Sequence, residues 1–301
     1  MKINHGLLAA LALTFNAFVF GLSWWPFRIL QGHGVHPLWA TAFIFIFSVV
    51  CILALRPGGW RAFGKQPLLW LLLLASGLTN VGFNWAVTVG DVVRVVLLFY
   101  LMPAWAVLLA WPLLGERPTL GSLARLVLAL AGVVVILKTP ESAWPLPSSL
   151  PDWLALMGGF FFAMTNILLK KLVATPESSR MVAMFGGGAI MSLLVASIGT
   201  HSGWVNALPA PSLAWLPAAL GISVAFLLGN LALQYGAARL SASATSLIML
   251  TEVIFASVSA SLLGAGDITL RTLAGGSLIL VASLLSVWRP DPPASHRLHG
   301  T

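Results

Sequence analysis

An all-α integral membrane protein, with ten transmembrane helices in two inverted five-helix repeats around a central cavity, is the fold class this sequence predicts. Three observations carry it. Of 301 residues 59% are apolar and 8% charged, with a mean hydropathy of +0.96, a balance outside the range of soluble globules. Charge-free intervals span 3–27, 29–55, 66–90, 95–115, 153–169, 181–238 and 272–288, where a helix crosses hydrocarbon with ~20 residues. The longest of them holds two spans. The basic residues, finally, fall in short connections and are unequally divided between the two sets of loops. Uniform apolar runs also lack the alternation of a barrel strand, which leaves helices as the way to satisfy the backbone in lipid.

The first span, 7–27, follows Lys2 and is too long for a signal-peptide core, so it is expected to stay in the membrane. The second, 36–55, holds the single Cys51, which has no partner for an internal disulfide and reads as an apolar filler. On the third, 67–88, Ser76, Asn80, Asn84 and Thr88 recur every four residues as one slightly drifting stripe. The fourth, 93–113, bears Tyr100 and Trp105, and Pro103 removes the bond to the Phe99 carbonyl and should kink it. The fifth is 120–137. Residues 1–138 form the first repeat and 139–151 a linker, marked by Pro140, Pro145, Pro147 and Pro151.

The second repeat, 152–288, opens with a span at 152–172 that carries Asn166, followed by one at 181–200. The eighth span, 212–236, holds Asn230, Gln234 and Tyr235, and the ninth, 243–263, places Glu252 near its middle. The tenth, 271–288, shares with the ninth a set of small residues, including Gly275 and Gly276, suited to close helix packing. A polar, proline-bearing tail, 289–301, is expected to be loose.

Twelve of the sixteen Lys and Arg fall on one side of this map, and Arg28, Arg94, Lys138 and Arg271 on the other. The positive-inside rule then puts both termini in the cytoplasm of a bacterial-type inner membrane. The net charge of +8 is therefore a topology signal, with a lipid bilayer and no nucleic acid as the expected partner. Oligomeric state is not written in these residues. Five helices per half is an odd number, so the second half runs inverted relative to the first. At an offset of 150, Asn80 meets Asn230, Asn84 meets Gln234 and Trp85 meets Tyr235, a repeat signal carried by amides and aromatics.

The candidate substrate-binding residues are Asn80, Asn84, Tyr100, Trp105, Asn230, Gln234, Trp24, Trp85, Tyr235 and Asn166. Intramembrane amides either line a path or glue helices together. Asn16, on the first helix, has the same two readings. Trp24 and Trp85 lie near span ends, where an interfacial belt competes with a pocket role. Tyr100 and Trp105 are deep enough for a pocket, and rings there suit planar or bulky apolar substrates. Glu252 must be paired, hydrated or protonated, and it reads equally as a hydrogen bond between helices or as a proton or substrate contact. Pro103 serves either packing or a gate. No metal-binding, phosphate-binding or catalytic constellation is present, so neither enzyme activity nor a cofactor is expected.

The passage Tyr100-Leu-Met-Pro103, then Leu113-Leu-Gly-Glu116, Gly121 and Gly132, resembles the EamA repeat of the drug/metabolite transporter superfamily. The second half departs from it, with Thr251-Glu252-Val253 in place of the proline and Gly264-Ala265-Gly266-Asp267 in place of the Gly-Glu pair. Among subfamilies the tryptophan-rich single chain resembles bacterial exporters of aromatic amino acids of the YddG type. The resemblance implies a secondary transporter working by alternating access on amino acids or related small metabolites. Carriers of nucleotide sugars or phosphorylated metabolites belong to the same superfamily, but anionic cargo calls for basic groups facing the cavity. A non-transporting membrane protein is the alternative from another class.

Overall fold

The computed structural model describes residues 5–115, 119–138, 146–237, 239–240 and 248–288; the side chains of Pro103, Gln234 and a few others fall outside that description. Twelve α-helices lie in the described residues: α1 His5–Gly21, α2 Trp24–Gly32, α3 Pro37–Leu55, α4 Leu68–Val89, α5 Val92–Phe99, α6 Met102–Leu114, α7 Leu120–Leu137, α8 Leu150–Lys171, α9 Glu177–His201, α10 Leu216–Ala237, α11 Thr251–Leu262 and α12 Leu270–Trp288. Among these residues eight stretches are long and apolar enough to cross a membrane. They match the first eight expected spans, with α1 and α2 together forming one of them and α5 and α6 another. The ninth and tenth correspond to the shorter apolar helices Thr251–Leu262 and Leu270–Ala282. The linker 139–145 and the tail lie outside the described residues, and α8 starts at Leu150, two residues before the expected repeat boundary.

Contacts run mostly between the two halves. The α4 helix packs against α8 and α9, α3 against α9, α1 against α10 and α11, α5 and α6 against α8, and α7 against α12. Exchanging each helix for its counterpart in the other half reproduces this pattern: α4 on α8 becomes α10 on α1, and α6 on α8 becomes α11 on α1. Close approach at the seams comes from glycine. A Cβ on Gly132 would lie 2.5 Å from the Gly275 carbonyl oxygen and one on Gly275 would lie 2.6 Å from that of Gly132, so α7 and α12 meet backbone to backbone. Gly77 and Gly187 do the same for α4 and α9.

The expected kink at Pro103 is a full break. Residues Tyr100 and Leu101 form a turn between α5 and α6, and Pro103 sits in the first turn of α6, where its missing N–H leaves no bond unmade. The second half breaks at the matching place without a proline. Leu250 is a turn residue ahead of α11, and the Thr251 hydroxyl donates to the Ile248 carbonyl at 2.6 Å, so the side chain takes over an acceptor that the interrupted ladder leaves open.

One end of the bundle is tied by a polar network. Arg94 donates to both carboxylate oxygens of Asp152, at 2.7 and 3.0 Å, and to the Ile136 carbonyl at 3.2 Å, joining α5, α8 and the end of α7. Asp91 accepts from the backbone amides of Arg94 and Asp267, both at 2.8 Å. Arg28 donates to the carbonyls of Thr88 at 3.1 Å and Gly90 at 2.6 Å. Two of the four basic residues in the minority charge group, Arg28 and Arg94, thus hold structure at this end.

Candidate substrate cavity

Below that network, from the middle of the bundle towards the end where α8 passes into α9, lies a cavity of about 540 Å³. Its volume suits a small organic molecule. Residues of α1, α3, α4, α8, α9 and α10 line it, together with both helix breaks. The polar stripe of α4 faces it through Ser76, Asn80 and Asn84, and three further amides converge from other helices: Asn16, Asn166 and Asn230. The unequal depths that the sequence assigns to Asn16 and Asn166 do not keep them apart.

Local hydrogen bonds orient these amides. The Asn80 carboxamide donates to the Ser76 carbonyl at 2.7 Å, and Asn230 makes the same bond one turn back, to Phe226, at 2.9 Å. Asn16 donates to the Gly229 carbonyl at 2.8 Å and Asn84 to the Thr41 hydroxyl at 3.2 Å. Hydroxyls follow the same habit: Ser76 donates to Met184 at 3.0 Å and Thr79 to Ala75 at 2.9 Å. In these four the carboxamide nitrogen is turned to a protein acceptor, which leaves the oxygen as the other branch of the group. The Asn16 oxygen is buried and has no hydrogen-bond partner among the described residues.

Aromatic surface comes from Phe83 on α4, Phe99 at the first break and Phe162 on α8, which form a contiguous set with ring centroids 4.6 and 5.4 Å from Phe99. Phe20, Phe45 and Phe185 line the opposite wall. Glu252 brings the only carboxyl, and no Lys, Arg or His lines the cavity among the described residues. The break at Leu250 puts this residue, expected near the middle of the ninth span, in the first turn of α11, where the helix dipole favours a negative group. The Tyr100 hydroxyl lies 3.4 Å from both the Glu252 carboxylate and the Met249 carbonyl, so Tyr100 connects the two breaks.

Four aromatic candidates lie elsewhere. Trp24 is buried, donating from its indole to the Ser259 hydroxyl at 3.0 Å under the Arg28 guanidinium. Trp85 stacks on Trp204 with centroids 5.5 Å apart. Trp105 packs edge-on against Phe160, its indole nitrogen buried without a partner among the described residues. Tyr235 lies beneath Arg239, 3.7 Å from the guanidinium carbon. Each turns away from the cavity because its helix presents it to a neighbouring helix or to an end of the bundle. The Gln234 side chain is outside the described residues. What the sequence reading missed was the phenylalanines. A signal existed on α8, where Phe162 precedes Asn166 by four residues and so shares its face.

The model of the EamA-like transporter family matches residues 7–138 and 149–288, one copy on each half. An uncharacterised transporter of Pseudomonas aeruginosa is 33% identical over 131 residues. That alignment covers 42% of this chain and 41% of the relative, so the chain spans well under half of that protein's length in the match. A solved crystal structure shares the fold over 92% of this chain and 96% of its own, with a TM-score of 0.55 and 15% identity.

Proposed function

We propose that this chain, which belongs to the EamA-like transporter family, exports bulky neutral amino acids across a bacterial-type inner membrane by alternating access. The observation that carries the reading is the cavity itself: five asparagines and six phenylalanine rings converge from both halves on one space of about 540 Å³. Amides serve the polar part common to all amino acids, and rings serve a large apolar side chain. The absence of Lys and Arg from the described lining sets this reading above a carrier of phosphorylated or nucleotide-linked cargo, which would need cations. Support for two inverted repeats comes from the exchange symmetry of helix contacts and from breaks at Leu101 and Leu250, each within one unit. Inverted-repeat carriers bind solute near the midplane where broken helices meet. In this reading both termini are cytoplasmic, and the cavity lies towards the cytoplasmic face.

The test is uptake of phenylalanine and alanine by proteoliposomes bearing the wild-type chain or Asn84→Leu, normalised to inserted protein. Asn84→Leu should depress uptake of both, because the amide addresses what they share. Wild-type rates for both would move the site elsewhere and leave the amides as helix glue.

A further inference from the structure

Resting on the reading of this cavity as the solute site, we infer that it recognises its substrate through a protonated amine, with the α-carboxylate dispensable, so that arylalkylamines are substrates alongside amino acids. Charge is the first ground. One carboxyl, Glu252, lines the cavity, with no basic side chain beside it among the described residues. The segment 241–247, ahead of the second break, holds no charged residue in sequence either. A cation entering this space meets a carboxyl able to take the opposite charge; an anion meets no basic group among the described residues.

Hydrogen bonding is the second ground. Asn16, Asn80, Asn84 and Asn230 each turn an N–H to a protein acceptor, and the buried Asn16 oxygen is an acceptor with no donor among the described residues. A buried acceptor without a partner carries the full cost of its lost hydration. An ammonium supplies three N–H donors and no acceptor, and so fits such a lining. Among the described residues the side chain within reach of the Glu252 carboxyl is Tyr100, its hydroxyl at 3.4 Å, a long contact for an O–H donor. A substrate ammonium at that carboxyl would be a shorter and stronger partner than this contact.

Helix ends are the place where a carboxylate would otherwise dock, since broken-helix N-termini hold anionic groups in other carriers. Both breaks are poorly suited to that here. At the start of α6, Pro103 has no N–H, and the amides of Ala104 and Trp105 both donate to the Leu101 carbonyl, at 2.9 and 3.3 Å. At the start of α11 the dipole faces the chain's own Glu252. The rings of Phe83, Phe99 and Phe162 then receive the aryl body and add cation–π attraction to an amine held near them.

Three probes separate the groups: phenylalanine, 2-phenylethylamine, which lacks the carboxylate, and 3-phenylpropionate, which lacks the amine. Equilibrium binding to the full chain in nanodiscs should give similar affinity for the first two and about tenfold or weaker binding of the third, the size of one charge-assisted contact. Glu252→Gln should weaken the two amines by a similar factor and leave 3-phenylpropionate unchanged. Equal binding of 3-phenylpropionate and 2-phenylethylamine, each displacing the other, overturns the amine inference while the cavity reading stands. No binding by any probe removes the cavity reading and this one with it. The probe comparison on the unaltered chain needs no variant, so misfolding of Glu252→Gln would not shield the inference.

Discussion

At the scale of single residues, hydrogen-bonding types were legible in the sequence and ring positions were not. Asn80, Asn84, Asn166 and Asn230 could be picked out because an amide in a membrane helix is costly and rare, whereas a phenylalanine there is ordinary. Trp105 illustrates the opposite error: its depth was right, but its helix turns it onto Phe160 and away from the cavity. Trp105→Ala should therefore lower thermal stability by about 2 kcal/mol or more and leave the ratio of phenylalanine to alanine uptake unchanged. Phe162→Ala should cut phenylalanine uptake roughly three- to tenfold relative to alanine. The reverse pattern in paired uptake and melting assays would return Trp105 to the site. His36 offers a pH test. Its ring accepts from the Leu38 amide at 3.3 Å as the N-cap of α3 and lies against Trp85, and burial lowers its pKa. The unfolded chain therefore binds the proton more readily, so stability from this cap is present above the ordinary histidine value of about 6.5 and is lost as pH falls below it. Melting temperature should drop between pH 8 and pH 5 by less in His36→Asn, which keeps a cap without a titrating ring; an equal drop would clear His36 of the effect.

Among the elements, apolar length and proline spacing made the first eight spans readable to within a few residues, while the helix breaks were only half visible. Pro103 announced one of them. Nothing in Thr251-Glu252-Val253 announces the other, because a hydroxyl bond to a carbonyl three residues back is a matter of rotamer and leaves no pattern in composition. Glu252 is consequently a helix-start residue inside the ninth span, which adds a helix dipole to its neighbouring-helix contact with Tyr100. The small residues of the tenth span, by contrast, did read correctly as packing surface. The reciprocal approach of Gly132 and Gly275 leaves no room for a side chain on either. Gly132→Val should overpack the α7–α12 seam and cost about 1–3 kcal/mol. In detergent its melting temperature should fall with Gly275→Val no worse than additive to it only if the helices part; a Gly132→Val chain as stable as wild type would show that the seam can open freely.

For the whole molecule, the proline-rich linker and the amide offset mark a point near which the two matches of the family model also divide, whereas the polar network at one end was invisible, since it depends on long-range pairs. Arg94 and Asp152 are 58 positions apart in the chain, and the pair joins the first half to the second. A carrier that exposes its cavity alternately must part the halves at this end, so the network there should set how often it opens. The Arg94 to Asp152 contact is bidentate, with Asp152 2% exposed and Arg94 25% exposed, so its loss should weigh more than that of a surface pair. Arg94→Gln removes the charge and one fork of the contact and should raise the open population about tenfold, the ratio that corresponds to a hydrogen bond of charged character. Thr88 reports on it: buried at 2% exposure, it lies one turn beyond the cavity residue Asn84, and its carbonyl accepts from Arg28. In a chain carrying Cys51→Ser and Thr88→Cys, an impermeant maleimide added on the side bearing this network should label slowly. Adding Arg94→Gln should speed labelling by about that factor, while maleimide from the opposite side should not. Unchanged labelling from the network side would show that these charges hold the fold together without controlling access, and the closure of this end would then rest on the apolar packing of α5 against α8 and α11.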